Sequence, residues 1–219
     1  LANAGIPVLR FDYRGMGDST GAQRDFEAVS ADIAAAIDAP QQRVPAVKQV
    51  ALWGLCDGAS AALLYCGETH DPRVSGLCLL NPWVRSEASL ARTQVKHYYR
   101  QRLMQKEFWL KLLRGRVASG AVSGLIQKIR LASDAPDKRA AQTGQAVFQH
   151  RMAAAWHRFN GHLLLLLSGD DYTAKEFVEY AGADPAWKNY RNHAGLLRRE
   201  IDGADHTCST PWAREMVET

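Results

Sequence analysis

Nowhere do apolar residues run for the roughly 18–20 positions that a bilayer-spanning helix needs. The longest leucine run, Leu163 to Leu167, is five residues. That length suits a strand buried on both faces of a parallel sheet. Cysteine is scarce: Cys56, Cys66, Cys78 and Cys208 are all there are. None forms a CxxC pair and metal-ligand spacing is absent, so a zinc or iron–sulfur framework is not expected. In a chain this size they read as reduced thiols, which fits a cytoplasmic compartment. Cys66 and Cys78 read as small buried hydrophobes. There is no internal repeat and no low-complexity linker. A signal peptide is also missing at the start, where the chain opens Leu1-Ala2-Asn3-Ala4-Gly5 without a Met. The opening runs straight into a strand-like segment and reads as a fragment whose natural beginning is missing, so the lack of a targeting signal at that end carries no weight.

What is present is ordinary for a folded protein. Hydrophobic residues make up 47% of the 219 and charged residues 23%, which argues against disorder. The length suits one domain with an insertion better than two domains. The net charge of +4 is unevenly spread: Val84 to Arg158 holds fifteen Lys/Arg against four Asp/Glu, and the remainder has twelve against nineteen. Such a basic block is either a solvated helical face or a surface for an anionic substrate, polymer or lipid.

Strand and helix signals alternate. Gly5–Tyr13, Val47–Leu55 and Val74–Leu80 read as strands, the last ended by Asn81-Pro82. Phe26–Ile37 reads as a helix capped by Asp25 and stopped by Pro40, and Asp57–Cys66 as a small-residue helix packed closely on a sheet. Alternation of this kind implies a parallel sheet with crossover helices. From Val84 to Phe159 the pattern turns helical and basic, with Val95, Tyr98, Tyr99, Leu103, Trp109, Leu112 and Leu113 mostly at three- and four-residue intervals. The sheet resumes at His162–Ser168. A helix at Lys175–Tyr180, a strand at Leu196–Ile201 and a closing helix at Thr210–Val217 follow. The expected organisation is a core in two parts, 1–83 and 160–219, around a helical cap insertion, 84–159.

The strongest chemical signal is Gly54-Leu55-Cys56-Asp57-Gly58, between a strand and a helix. This is the nucleophile-elbow pattern with Cys where Ser usually stands. A glycine two positions to either side would relieve crowding in the turn. The following helix would aim its N-terminus at the site, with the backbone N–H of Asp57 as one oxyanion donor. An elbow enzyme needs an acid after a later strand and a His after the last one. Asp170 and Asp171 follow His162–Ser168, and His206 follows Leu196–Ile201. The expected catalytic set is therefore Cys56 as nucleophile, Asp170 or Asp171 as acid and His206 as base. His70, His97, His150, His157 and His193 lack an evident catalytic partner, and His162 reads as structural. Gly15, Gly17 and Gly21 give GxGxxxG, one residue too long for the dinucleotide fingerprint. No cofactor or metal is expected.

With those residues in view the chain resembles the α/β-hydrolase superfamily. Asp12 to Ser19 (DYRGMGDS) looks like that superfamily's turn after its fourth strand. More narrowly the chain is similar to the exosortase A system-associated hydrolase 1 family. The likeness rests on FDYRGMGDSTG (11–21), GLCDGASAALLY (54–65), HYYRQRLMQKEFWLKLL (97–113) and LSGDDYTAKEF (167–177). Cys at the elbow fits that family, and dienelactone hydrolases look similar in using Cys there. The resemblance implies an α/β-hydrolase fold, Asp171 rather than Asp170 as the acid, and a bacterial, cytoplasmic hydrolase linked to exopolysaccharide production and exosortase sorting.

Three activities are compatible with these residues. The first is cleavage of an ester, thioester or lactone through an acyl-Cys intermediate. The second passes that acyl group to a sugar hydroxyl. The third is a non-enzymatic accessory protein whose basic cap binds an anionic polymer or membrane surface through Lys96, Arg100 and Arg102. A small acyl compound is the expected partner and nucleic acid is not. Tyr98, Tyr99, Phe108 and Trp109 would line an acyl pocket or simply pack the cap. The superfamily resemblance also implies strands before Leu1, one of them between Gly5–Tyr13 and Val47–Leu55. These 219 residues alone are therefore expected to leave a sheet position unfilled and to show reduced or no activity. Full activity together with cooperative unfolding of the isolated chain would refute that expectation.

Overall fold

The computed structural model describes Ala2, residues 5–85 and residues 147–218. The chain divides into two compact units, Leu1–Trp83 with Phe148–Thr219, and Val84–Val147. Most of the second unit, including Lys96, His97, Tyr98, Tyr99, Arg100, Arg102, Phe108 and Trp109, lies outside the described residues. Phe148–Arg158, which the sequence places in the insertion, belongs to the first unit. Its Met152, Ala153, Ala155 and Trp156 are buried, and its helical face is apolar enough to serve as a core face.

The first unit is an α/β fold around a four-stranded parallel sheet. The strands are β1 (Val50–Leu55), β2 (Val74–Leu80), β3 (His162–Ser168) and β4 (Leu196–Ile201), in spatial order 1-2-3-4. The helices are α1 (Ser30–Arg43), α2 (Asp57–Thr69), α3 (Phe148–Arg158), α4 (Tyr172–Ala183) and α5 (Pro211–Glu218). β2, β3 and β4 keep the bounds read from their β-branched and leucine-rich runs. Leu163, Leu165, Leu166 and Leu167 of β3 are buried and Leu164 is partly so, as suits a central parallel strand with both faces covered.

Two expectations are corrected. Gly5–Tyr13 is not in the sheet: among the described residues β1 pairs with β2 alone. Ile6, Val8, Leu9 and Phe11 stay exposed. The segment has strand composition, but a strand forms only where another backbone offers its hydrogen-bonding groups. The other concerns the helix read at Phe26–Ile37. It resolves into a short 3-10 turn, Phe26–Ala28, capped by Asp25, followed by α1 with Pro40 inside its last turn. Val44 N–H still reaches the Pro40 carbonyl at 2.8 Å, so the ring removes one helical bond without ending the helix.

α2 is the core of the unit. Every residue from Ala59 to Cys66 is buried. Its small side chains permit close approach: a Cβ on Gly67 would lie 2.6 Å from that of Ala155 on α3. Beyond α3, an aromatic cluster joins Trp156, Phe177, Trp187 and Tyr190, with the Trp156 and Trp187 rings 5.7 Å apart. The Trp156 indole N–H donates to the Tyr190 carbonyl at 2.9 Å. At the N-terminal end of β2, Arg73 clasps Asp71 and Asp38. This contact holds the Asp71 carboxyl well below the usual carboxylate range.

Trp156 is fully buried, so Trp156→Ala is expected to cost about 3–5 kcal/mol, the usual range for such a truncation. Chemical denaturation followed by circular dichroism checks this. A loss under about 1 kcal/mol would show that the site collapses to fill the space.

Candidate active site

One residue, Cys56, separates β1 from α2. Its φ of 59° and ψ of −121° lie where a residue with a Cβ is strained, at a cost of order 1–3 kcal/mol. Backbone bonds from three directions hold it there. The Cys56 N–H donates to the Leu80 carbonyl at 2.9 Å, and its own carbonyl accepts from Ala59 at 3.1 Å, Ser60 at 3.2 Å and Trp83 at 3.2 Å. The Ser60 hydroxyl, which donates to the Trp83 carbonyl at 2.7 Å, secures the same loop. Cys56 is thus lifted off the end of the sheet, part-buried, at the positive end of α2.

The two elbow glycines differ. A Cβ on Gly54 would fall 2.5 Å from the Ala59 nitrogen and the Gly58 carbonyl, so only glycine fits. A Cβ on Gly58 would meet none of the described residues within 4 Å. Crowding therefore explains the first glycine and not the second, because the second faces away from the strand–helix contact. Asp57 starts the helix, where a backbone N–H has no acceptor within the helix. Its carboxylate accepts from the Gly58 N–H at 2.9 Å.

Asp171 is the N-cap of α4 and accepts from the Ala174 N–H through Oδ2 at 3.0 Å. The same oxygen meets His206 Nδ1 at 3.0 Å. The Asp171 side chain is 8% exposed and that of His206 38%, so the carboxylate is shielded while the ring reaches solvent. Asp170 is exposed, and its N–H donates to the Ala204 carbonyl at 3.0 Å. Of the two candidate acids, Asp171 is the one that meets the imidazole.

The loop carrying His206 is braced by its neighbour. Asp205 Oδ1 accepts from the Thr207 N–H at 3.1 Å and the Ser209 N–H at 2.9 Å. The Ser209 hydroxyl binds the other oxygen. These bonds, those of Ser209 foremost, hold the Asp205 carboxyl below its ordinary value. One residue at this site escaped the sequence reading. Asn81, which appeared only as the end of a strand, donates to the His206 carbonyl at 2.9 Å. No periodicity or spacing signals such a bond, because it joins loops far apart in the chain.

The remaining described histidines have other partners or settings. His193 Nε2 lies 2.6 Å from the Phe159 carbonyl, and its Nδ1 accepts from Gly195. His157 meets the Ala186 carbonyl, and His150 pairs with Asp184 at 3.1 Å. His70 ends α2 in a left-handed conformation, and His162 begins β3. The Gly15–Gly21 loop is tied to itself: Asp12 accepts from the Asp18 N–H, and Gly15 N–H reaches Thr20. Among the described residues no three His, Cys, Asp or Glu side chains converge as metal ligands would. No helix among them is long and apolar enough to cross a membrane.

The family model of the alpha/beta hydrolase family matches residues 1–215, and the chain belongs to that family. Solved structures share its fold at low identity. An esterase from Pyrococcus furiosus is 15% identical with a TM-score of 0.53, the match covering 94% of this chain and 66% of that one. An esterase from Exiguobacterium antarcticum is 16% identical with a TM-score of 0.51, covering 94% and 77%. A protein from Agrobacterium tumefaciens described as a candidate α/β hydrolase is 15% identical with a TM-score of 0.53, covering 99% and 67%. The chain thus spans about two thirds to three quarters of their lengths. No curated protein sequence matches it.

Burial pushes the Cys66 and Cys78 thiols up to about 12, against roughly 8.5 for a free thiol. At pH 8 iodoacetamide is therefore expected to alkylate Cys56 while Cys66 and Cys78 react only after denaturation. Peptide mass mapping checks this; labelling of Cys66 or Cys78 at the Cys56 rate would contradict it.

Proposed function

We propose that this protein is a hydrolase that cleaves an ester, thioester or lactone through an acyl-Cys56 intermediate. The observation that carries the reading is the 3.0 Å contact between His206 Nδ1 and the shielded Asp171 carboxylate. It uses the nitrogen remote from the reacting end of the ring and leaves Nε2 for proton transfer. The pair comes from two loops that open at the same edge of the sheet as the strained Cys56 turn.

In this reading His206 Nε2 takes the Cys56 thiol proton, and the sulfur attacks the acyl carbon. The backbone N–H of Asp57 stabilises the oxyanion that forms. Collapse expels the alcohol or thiol, which receives its proton from the imidazolium and leaves a thioester on Cys56. His206 then removes a proton from water. The resulting hydroxide attacks the thioester, and the acid departs as the thiol is restored. Asp171 holds the ring's orientation and stabilises its charged form throughout.

Ester cleavage is favoured because two proteins of the same fold are described as esterases. The resemblance of 11–21, 54–65, 97–113 and 167–177 to the exosortase A system-associated hydrolases supports reading the reaction as a bacterial, cytoplasmic one linked to exopolysaccharide production. The basic stretch between Val84 and Arg158 would favour an anionic substrate or surface.

The test is mass spectrometry of the complete protein after exposure to a panel of activated acyl esters. An adduct on Cys56 is expected, lost in His206→Ala. Asp171→Asn should slow its formation by about 10²- to 10⁴-fold. Undiminished ester hydrolysis by Cys56→Ala would sink the proposal.

A further inference from the structure

Asn81 directly follows β2 and is fully buried. Its φ of 48° is a left-handed conformation that Asn tolerates better than most residues. Both hydrogens of its amide are used: Nδ2 donates to the Ser168 hydroxyl at 2.9 Å and to the His206 carbonyl at 2.9 Å. Its Oδ1 accepts from the Ser168 N–H at 2.8 Å, and its own N–H donates to the Leu166 carbonyl at 3.0 Å. A buried amide satisfied this completely has little freedom to move.

The partners define what the amide controls. It binds His206 itself, at the carbonyl next to the Cα from which the imidazole extends. It also grips Ser168 at two points, and the Ser168 carbonyl accepts from the Asp171 N–H at 3.3 Å. Ser168 Oγ lies 3.6 Å from the sulfur of Cys208, on the His206 loop. On its other side Asn81 adjoins Leu80, whose carbonyl accepts from the Cys56 N–H. One side chain therefore references the base directly, the acid through Ser168, and the nucleophile through the neighbouring peptide.

We propose that Asn81 is a positioning residue: its carboxamide sets the His206 main chain at the height where Nδ1 meets Asp171. This rests on the Cys56–His206–Asp171 reading above. A residue that only stabilised the loop would, on removal, lower the folded fraction and leave the imidazole's surroundings unchanged in the folded molecules. A positioning residue alters those surroundings.

Two substitutions suit the left-handed backbone. Asn81→Asp keeps the shape but loses both N–H donors, and Asn81→Gly removes the side chain. In each, kcat on p-nitrophenyl butyrate is expected to fall about tenfold to hundredfold, the effect of orphaning a buried acceptor, with KM within about twofold. The pH midpoint of kcat should move, and the ¹⁵N-histidine NMR signal of hydrogen-bonded His206 Nδ1, assigned with His206→Ala, should be lost. Trp156→Ala, which destabilises the fold through an aromatic cluster that does not include His206, should keep both the pH midpoint and that signal. Should Asn81→Gly fold poorly, Asn81→Asp decides, read on its folded fraction. If the folded variants keep the wild-type pH midpoint and Nδ1 signal, the proposal is wrong. The NMR comparison needs no turnover. A wild type that forms no Cys56 adduct would therefore defeat the catalytic reading, while loss of the Nδ1 signal in the variants would still uphold the role of Asn81.

Discussion

The arrangement depends on four parallel strands in fixed register, β1 and β2 ending level with each other and β3 and β4 ending level two residues further on. Leu55 lies beside Leu80, Leu80 beside Leu166, and Ser168 beside Ile201. In a parallel sheet every C-terminal end falls on the same edge, so the loops that leave those ends open side by side. Cys56, Asn81, Asp171 and His206 are far apart in the chain yet belong to that one edge. A register slip in any strand would raise or lower one of these loops by a residue's rise, roughly 3.3 Å. That exceeds the tolerance of a hydrogen bond.

The turn at Cys56 then has to be held against its own strain. The strain is of order 1–3 kcal/mol, and each backbone hydrogen bond contributes roughly 0.5–1.5 kcal/mol net. The four backbone bonds at Cys56 are enough to offset it. Close seating of α2 on the sheet supplies the rest of the restraint, and it requires small residues along Ala59–Ala62 and a bare Cα at Gly54. The buried run of α2 and the strained turn at Cys56 are one construction.

Much of this was legible in one dimension. β2 and β3 could be read to the residue because leucine-rich runs between turn residues leave little choice, and β4 because a short apolar-ended segment lies between Gly195 and Asp202-Gly203. The elbow was legible because a Gly-flanked Cys between strand and helix constrains the backbone so tightly. The bounds of α1 were not, because Pro40 near a helix end removes one bond and breaks nothing. Gly5–Tyr13 misled because strand composition states a preference, whereas pairing depends on a neighbour. Phe148–Arg158 misled because its basic residues continue the charge of the preceding block, while its apolar face belongs to α2. Between Asp170 and Asp171 the residues alone left the choice open; helix capping by Asp171, visible only in three dimensions, orients that carboxylate. Asn81 was invisible for a like reason, since its partners lie on other loops.

The aromatic cluster has a practical side. The Trp156 and Trp187 indoles sit wholly out of solvent with their centroids 5.7 Å apart, Trp187 lying on the stretch that leads from α4 into β4. Trp53 and Trp212, by contrast, face water. Emission from these two pairs should differ in colour: the bluer light reports on the aromatic cluster around Trp156, and the redder on the exposed margins at Trp53 and Trp212.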